Sequence, residues 1–70
     1  APEDPAVRTA VADLLTDPYH RMRQWAADAC GRYKIEAAVT ALEALAKDDW
    51  NGGVRGAAKK ALEAIKPPAK

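Results

Sequence analysis

The chain contains one helical unit twice, and this internal repeat constrains its fold more than any other feature. DPYHRMRQWAADACGRYK, residues 17–34, aligns at an offset of 32 with DWNGGVRGAAKKALEAIK, residues 49–66. The matched pairs include Asp17 with Asp49, Arg23 with Arg55, Ala26 with Ala58 and Ala29 with Ala61. The residues before each copy also match, at an offset of 31. A helical unit of this length cannot bury its apolar face alone, so the two copies must stack.

Apolar residues spaced by three and four predict four helices, over about 5–16, 17–33, 35–47 and 53–66. Asp4 and Pro5 form a helix start, and Pro67-Pro68 should end the last helix. Gly31 should permit a close helix crossing or an exit turn. The inward faces are expected from Val7, Val11, Leu14 and Leu15; Met22, Trp25, Ala26, Ala29, Cys30 and Tyr33; Ile35, Ala38, Leu42, Leu45 and Ala46; and Val54, Ala58, Ala61, Leu62 and Ile65.

The fold class is therefore all-α, with two helix pairs in one domain of 70 residues. Repeat one covers about 5–34 and repeat two about 35–66. Few glycines and no alternating β-branched run argue against strands. Because stacked repeats usually need three or more units, we expect the chain to be part of a longer protein.

The matched residues resemble the HEAT-like repeats, in particular the short class found in phycobilin lyases. The marks are Arg23 and Arg55, the paired alanines, Gly31 and the acidic turns at Asp17 and at Asp48-Asp49. The resemblance implies an α-α superhelix, an α-solenoid fragment with each second helix on the concave side. It also implies that both arginines bond acidic turn residues and helix ends. The departures are Trp25, where the other copy has Ala57, and the Trp50–Gly53 loop.

Charge alternates along the chain, although the net charge is only +1. Residues 1–17 and 35–49 each sum to −3, whereas 18–34 sum to +3 and 50–70 to +4. One interpretation is a basic concave face for an acidic peptide or a nucleic-acid backbone. The other is that oppositely charged neighbouring helices pair at their edges and ends. Lys59 and Lys60 fit the second interpretation least well.

No catalytic, cofactor or metal constellation is recognisable. His20 is the single histidine, and it has only Asp17 nearby as a second metal ligand. Cys30 lies on an apolar stripe with no histidine to activate it. Asp48 and Asp49 most simply cap the last helix. The sequence therefore predicts a protein that is not an enzyme, with no cofactor and no metal site.

The aromatic residues leave alternatives open. Trp50 lies in a loop and either anchors a partner or folds over Leu45 and Val54 as a lid. Tyr33 is expected in the core, and Trp25 between the repeats. Tyr19 should make a helix-cap contact first and a partner contact second.

The leading interpretation is a non-catalytic protein-interaction or scaffolding module. Its partner would be a protein or acidic peptide, bound through Arg21, Lys59, Lys60 and Trp50. The alternative is an appended helical domain of an enzyme such as a metallopeptidase or lyase. Nucleic-acid binding is weaker still, since a pI near 8 is mild for that role. No apolar run reaches membrane-spanning length, and uncovered apolar end faces would favour self-association.

Overall fold

The computed structural model describes residues 3–66, which form four α-helices and no strand. The helices are α1 (Pro5–Asp13), α2 (His20–Arg32), α3 (Val39–Asp48) and α4 (Gly52–Ile65). A 3₁₀ turn, Leu14–Thr16, follows α1, and a second, Glu36–Ala38, precedes α3. The all-α prediction and the four-helix arrangement are confirmed. The predicted stop at Pro67-Pro68 lies outside the described residues.

Short polar side chains set where the helices begin. Asp4 caps α1, with its carboxylate accepting the Ala6 N–H at 2.9 Å, as predicted. Asp17 instead accepts the Tyr19 N–H at 2.9 Å. This local turn competes with helix, so α2 begins at His20 and not at the predicted residue 17.

The start of α4 differs from the prediction in a similar way. The side chain of Asn51 accepts the Val54 N–H at 3.1 Å and is the N-cap of α4. The prediction that Asp48 and Asp49 cap this helix is therefore wrong. Asp49 is committed to other partners, described below.

The core lies where α2 packs along α4, with α3 against α4, and α1 and its 3₁₀ turn against α2. Its largest fully buried side chains are Leu15, Cys30, Ile35, Leu42 and Val54. Alanines supply much of the remainder. Small side chains allow helices to approach closely, so this core depends on backbone proximity more than on large side chains.

Helices α2 and α4 cross closely at Gly31. A Cβ atom at Gly31 would lie 2.8 Å from the Ala61 Cα. Of the two roles foreseen for Gly31, the close crossing is the one observed. The exit turn falls instead on Lys34, which has a φ of 51°. Arg8 ties α1 to this turn by donating to the carbonyl oxygens of Tyr33 at 3.1 Å and Lys34 at 2.9 Å.

Three residues predicted to face the core are exposed. Trp25 is 54% exposed, and Val7 and Tyr33 are each 40% exposed. The aligned residues of repeat two, Ala57, Ala38 and Ile65, are buried. Repeat two packs on repeat one, whereas repeat one has no neighbour on its other side within residues 3–66. The same sequence position is therefore buried in one copy and exposed in the other.

Two helical glycines give opposite expected effects on stability. Gly31→Ala should lower the free energy of unfolding by about 1–2 kcal/mol, because overpacking at the Ala61 backbone outweighs the gain in helix propensity. Gly56 has open space around its Cα, so Gly56→Ala should raise it by about 0.5–1 kcal/mol. Thermal and urea unfolding followed by circular dichroism measures both. Equal effects of the two substitutions would contradict the close crossing.

Candidate functional site

Arg23 joins the two repeats. Its side chain is buried, and its Nε and Nη2 donate to the two carboxylate oxygens of Asp49, at 2.7 and 3.2 Å. Its Nη1 donates to the carbonyl oxygens of Asp17 at 2.8 Å and Pro18 at 2.9 Å. One guanidinium therefore holds the turn before α2 and the turn before α4 together. The fork-to-carboxylate geometry is the strong form of this interaction.

Asp49 is held in the charged state by its surroundings. Burial works against ionisation, but the hydrogen bonds from Arg23 and from the Asn51 N–H, with the nearby charge of Arg55, outweigh it and lower the pKa of Asp49. Arg55 also donates to the Asp49 carbonyl oxygen, at 2.6 Å. Arg23 and Arg55 thus bond the same backbone position, six residues earlier, in each repeat. The predicted role of the two arginines is confirmed.

Above this ion pair lies a row of three rings, Tyr19, His20 and Trp50, here called the aromatic edge. Successive ring centroids are each 5.4 Å apart, in edge-to-face geometry. The Arg23 guanidinium lies 5.6 Å from the centroid of the Trp50 ring. Trp50 is 70% exposed and Tyr19 is 55% exposed. The alternative in which Trp50 forms a lid over Leu45 and Val54 is therefore wrong.

Arg21 borders a different feature, an open apolar groove of about 470 Å³ on the outer side of α2. We call it the α2 groove; it is lined by Leu14, Tyr19, Arg21, Met22 and Trp25. Tyr19 belongs to both the groove and the aromatic edge. Arg21 and Trp50 therefore lie on either side of the Tyr19–His20 pair.

Lys59 and Lys60 are exposed on α4 and belong to neither feature. Neither lysine, nor Arg21, makes a hydrogen bond or ion pair within residues 3–66. Charge pairing between helices therefore accounts for Arg23, but not for these three cations. Their predicted role in binding a partner stays a prediction.

Cys30, the single cysteine, lies in the buried core. Burial raises the pKa of the Cys30 thiol to about 11, although the charge of Arg8 acts in the opposite direction. Cys30 is thus protonated at neutral pH and serves as core packing. Within residues 3–66, no group of three potential metal ligands is assembled. The arrangement can hold protein surfaces together and present aromatic rings to a partner.

The sequence interpretation missed the aromatic edge, although a signal for it was present. Tyr19 and His20 lie in the turn before α2, and Trp50 lies in the corresponding turn before α4. Stacked repeats bring corresponding turns side by side. The repeat alignment therefore predicts Trp50 next to the start of α2, a contact between repeats that the pattern within one repeat does not show.

Comparison with known proteins identifies the family. The family model for HEAT repeats matches residues 2–63. The chain belongs to the HEAT-repeat family. Searches of curated proteins and of solved structures gave no significant match. Among the described helices, none is both long and apolar enough to cross a bilayer.

The Arg23–Asp49 pair predicts a specific dependence of stability on pH. Asp49→Asn removes the charge that compensates buried Arg23 and should cost about 3 kcal/mol at pH 7. A chain of this length has about 4–10 kcal/mol of total stability. Because the folded pKa of Asp49 is lowered, its contribution is full above the ordinary aspartate value, about 3.9, and is lost as the pH falls below it.

Urea unfolding at pH 7 and at lower pH values checks this dependence. The wild type should lose stability below about pH 4 more steeply than the Asp49→Asn variant. Asp48→Asn is the matched control, because Asp48 is exposed and makes no ion pair within residues 3–66. A wild type and Asp49→Asn variant with parallel pH profiles would contradict the assignment.

Proposed function

We propose that this HEAT-repeat chain is a non-catalytic protein-interaction module that binds a protein or acidic peptide at the aromatic edge. Helical repeats of this family commonly act in protein interaction. The proposal adds a location on the surface and a chemistry for the partner. The single observation that carries it is the position of Trp50.

Trp50 is exposed without being loose. Its ring contacts His20 and Arg23, and Arg23 is itself fixed by four hydrogen bonds. A large aromatic side chain that is already held in one place loses little conformational entropy when a partner covers it. Exposed, ordered tryptophans are frequent binding hot spots. With 70% of its surface exposed, most of the Trp50 side chain is available to a partner.

The unpaired cations of α2 and α4 favour an acidic partner. Arg21 lies in sequence directly after His20, and Lys59 and Lys60 extend the positive charge along α4. These three cations have no anionic partner within residues 3–66. A carboxylate-bearing segment would neutralise them and speed association through electrostatic steering. The interaction should therefore weaken with increasing salt.

Substitution of Trp50, or of one unpaired lysine of α4, should remove a partner without unfolding the protein. Trp50→Ala and Lys60→Glu should each reduce capture of the partner by about tenfold or more. Tagged protein and lysate of the cells that express it, with quantitative mass spectrometry, provide the measurement. Thermal unfolding should show that both variants keep the wild-type fold, since the Trp50 contacts are worth only about 1 kcal/mol.

Two control variants make the same kinds of change, a charge reversal and the loss of an aromatic ring, at other exposed positions. Lys47→Glu makes the same charge change at an exposed site on α3, and Tyr33→Ala removes another exposed aromatic, at the far end of α2. Both control variants should capture the partner as the wild type does. If Trp50→Ala, Lys60→Glu and the two control variants all retained every captured protein equally, the proposed site would be wrong.

A further inference from the structure

The outer face of α2 is the uncovered counterpart of a buried helix face. On α4, the residues that face inward toward repeat one are buried: Val54, Ala57, Ala61 and Ile65, each 9% exposed or less. Their counterparts on α2, at the same offset of 32, are Met22, Trp25, Ala29 and Tyr33. Trp25 and Tyr33 are exposed and Met22 lines the α2 groove, whereas Ala29 is buried. Repeat one therefore carries an apolar packing face that residues 3–66 leave open at Trp25, Tyr33 and the groove.

The opposite end of the helix stack has a different character. Gly31 and Ala27 are buried where α2 meets α4. Their counterparts on α4 are Glu63 and Lys59, both exposed. A glutamate cannot occupy the position of Gly31 in the same crossing, where even a Cβ would lie 2.8 Å from a backbone atom. At these two positions of the described residues, the α4 end is charged where the corresponding α2 residues are apolar.

A further repeat, packed as α4 packs on α2, does not fit the α2 face. In repeat two the position of Trp25 is Ala57, which is 7% exposed and lies within the core. An indole at that position would separate the helices. The α2 face therefore suits a partner that packs around Trp25, at a wider helix separation.

The charged residues beside Trp25 can pair with those of an identical α2 helix that is related by a twofold axis. In a twofold antiparallel pair of identical helices, a residue of one helix lies opposite a residue of the other when their two numbers add up to a fixed value. That value is twice the position of the axis. With the axis between Gln24 and Trp25, the constant sum is 49, so Arg21 meets Asp28 of a second copy. The contact occurs twice, giving two ion pairs. Arg21 and Asp28 are exposed and make no ion pair within residues 3–66.

We propose that a second copy of this chain covers the α2 face, forming a twofold dimer in which the two α2 helices pack antiparallel about Trp25. The α2 groove receives the indole of the other copy. The ion pairs at the rim set the register and exclude the parallel arrangement, which would place Arg21 against Arg21. The interface is closed and isologous. It is centred on Trp25 and not on Trp50, although Tyr19 belongs to both the α2 groove and the aromatic edge.

Sedimentation equilibrium of the 70-residue chain tests the dimer. The weight-average mass should rise with concentration from 7.5 kDa toward twice that value. Trp25→Glu should abolish the rise. Arg21→Glu and Asp28→Arg should each weaken dimerisation by about tenfold, because each creates two like-charge contacts in the symmetric interface.

The charge-swapped double variant, Arg21→Glu with Asp28→Arg, shows whether these two residues pair directly or whether the single variants act through net charge alone. It should restore the wild-type dimerisation constant to within about threefold. Lys60→Glu makes the same charge change as Arg21→Glu but lies on α4, and it should have no effect. Circular dichroism checks that every variant remains folded.

A wild-type chain that stays monomeric up to about 1 mM would overturn the proposal. That result would mean that an unrelated helix or another segment covers the α2 face. A double variant no better than the single ones would overturn the twofold register. Neither result decides the proposed binding at Trp50, which is tested in a different assay by Trp50→Ala and Lys60→Glu, two substitutions outside the α2 face.

Discussion

The structure depends on one ion pair, between Arg23 and Asp49. The two side chains are 8% and 4% exposed, so both charges are nearly removed from water and each requires the other. Arg23 adds two bonds to the carbonyl oxygens before α2, and Asp49 accepts the Asn51 N–H, at 2.9 Å, in the turn before α4. The pair therefore fixes the relative position of two turns, and with them the crossing of α2 and α4. It also places Trp50 above Arg23.

The two repeats share their framework and differ in their surfaces. Arginine, aspartate and alanine positions recur because each repeat must hold its own turn and admit a close neighbour. Residues that break the repeat are concentrated on the exposed parts: Trp25 on the outer face of α2, Trp50 at the aromatic edge, and Lys59 on the far side of α4. The shared residues explain the fold, and the differing residues carry the two proposed contacts. Function in this chain is therefore sought where the copies disagree.

The sequence predicted the helices, the Asp4 cap, the close crossing at Gly31 and the role of the repeated arginines, because each follows from local geometry or from the repeat. It misplaced the start of α2, since the Asp17 side chain bonds the Tyr19 N–H and favours a turn over a helix. The predicted burial of Trp25 and Tyr33 was wrong for another reason. Burial of an apolar residue on this helix face requires a neighbouring repeat that covers it. The spacing of apolar residues shows only that the residue lies on that face. The aromatic edge is predictable only when the turn before α2 is compared with the corresponding turn before α4.

Arg23 and Asp49 stabilise the fold as a coupled pair. A double-mutant cycle with Arg23→Met, Asp49→Ala and the combined variant, followed by urea unfolding at pH 7, measures that coupling directly. Each single variant leaves one buried charge without its partner, whereas the combined variant leaves neither. We predict a coupling free energy of about 2 kcal/mol or more. Additive effects, with a coupling below about 0.5 kcal/mol, would contradict the claim.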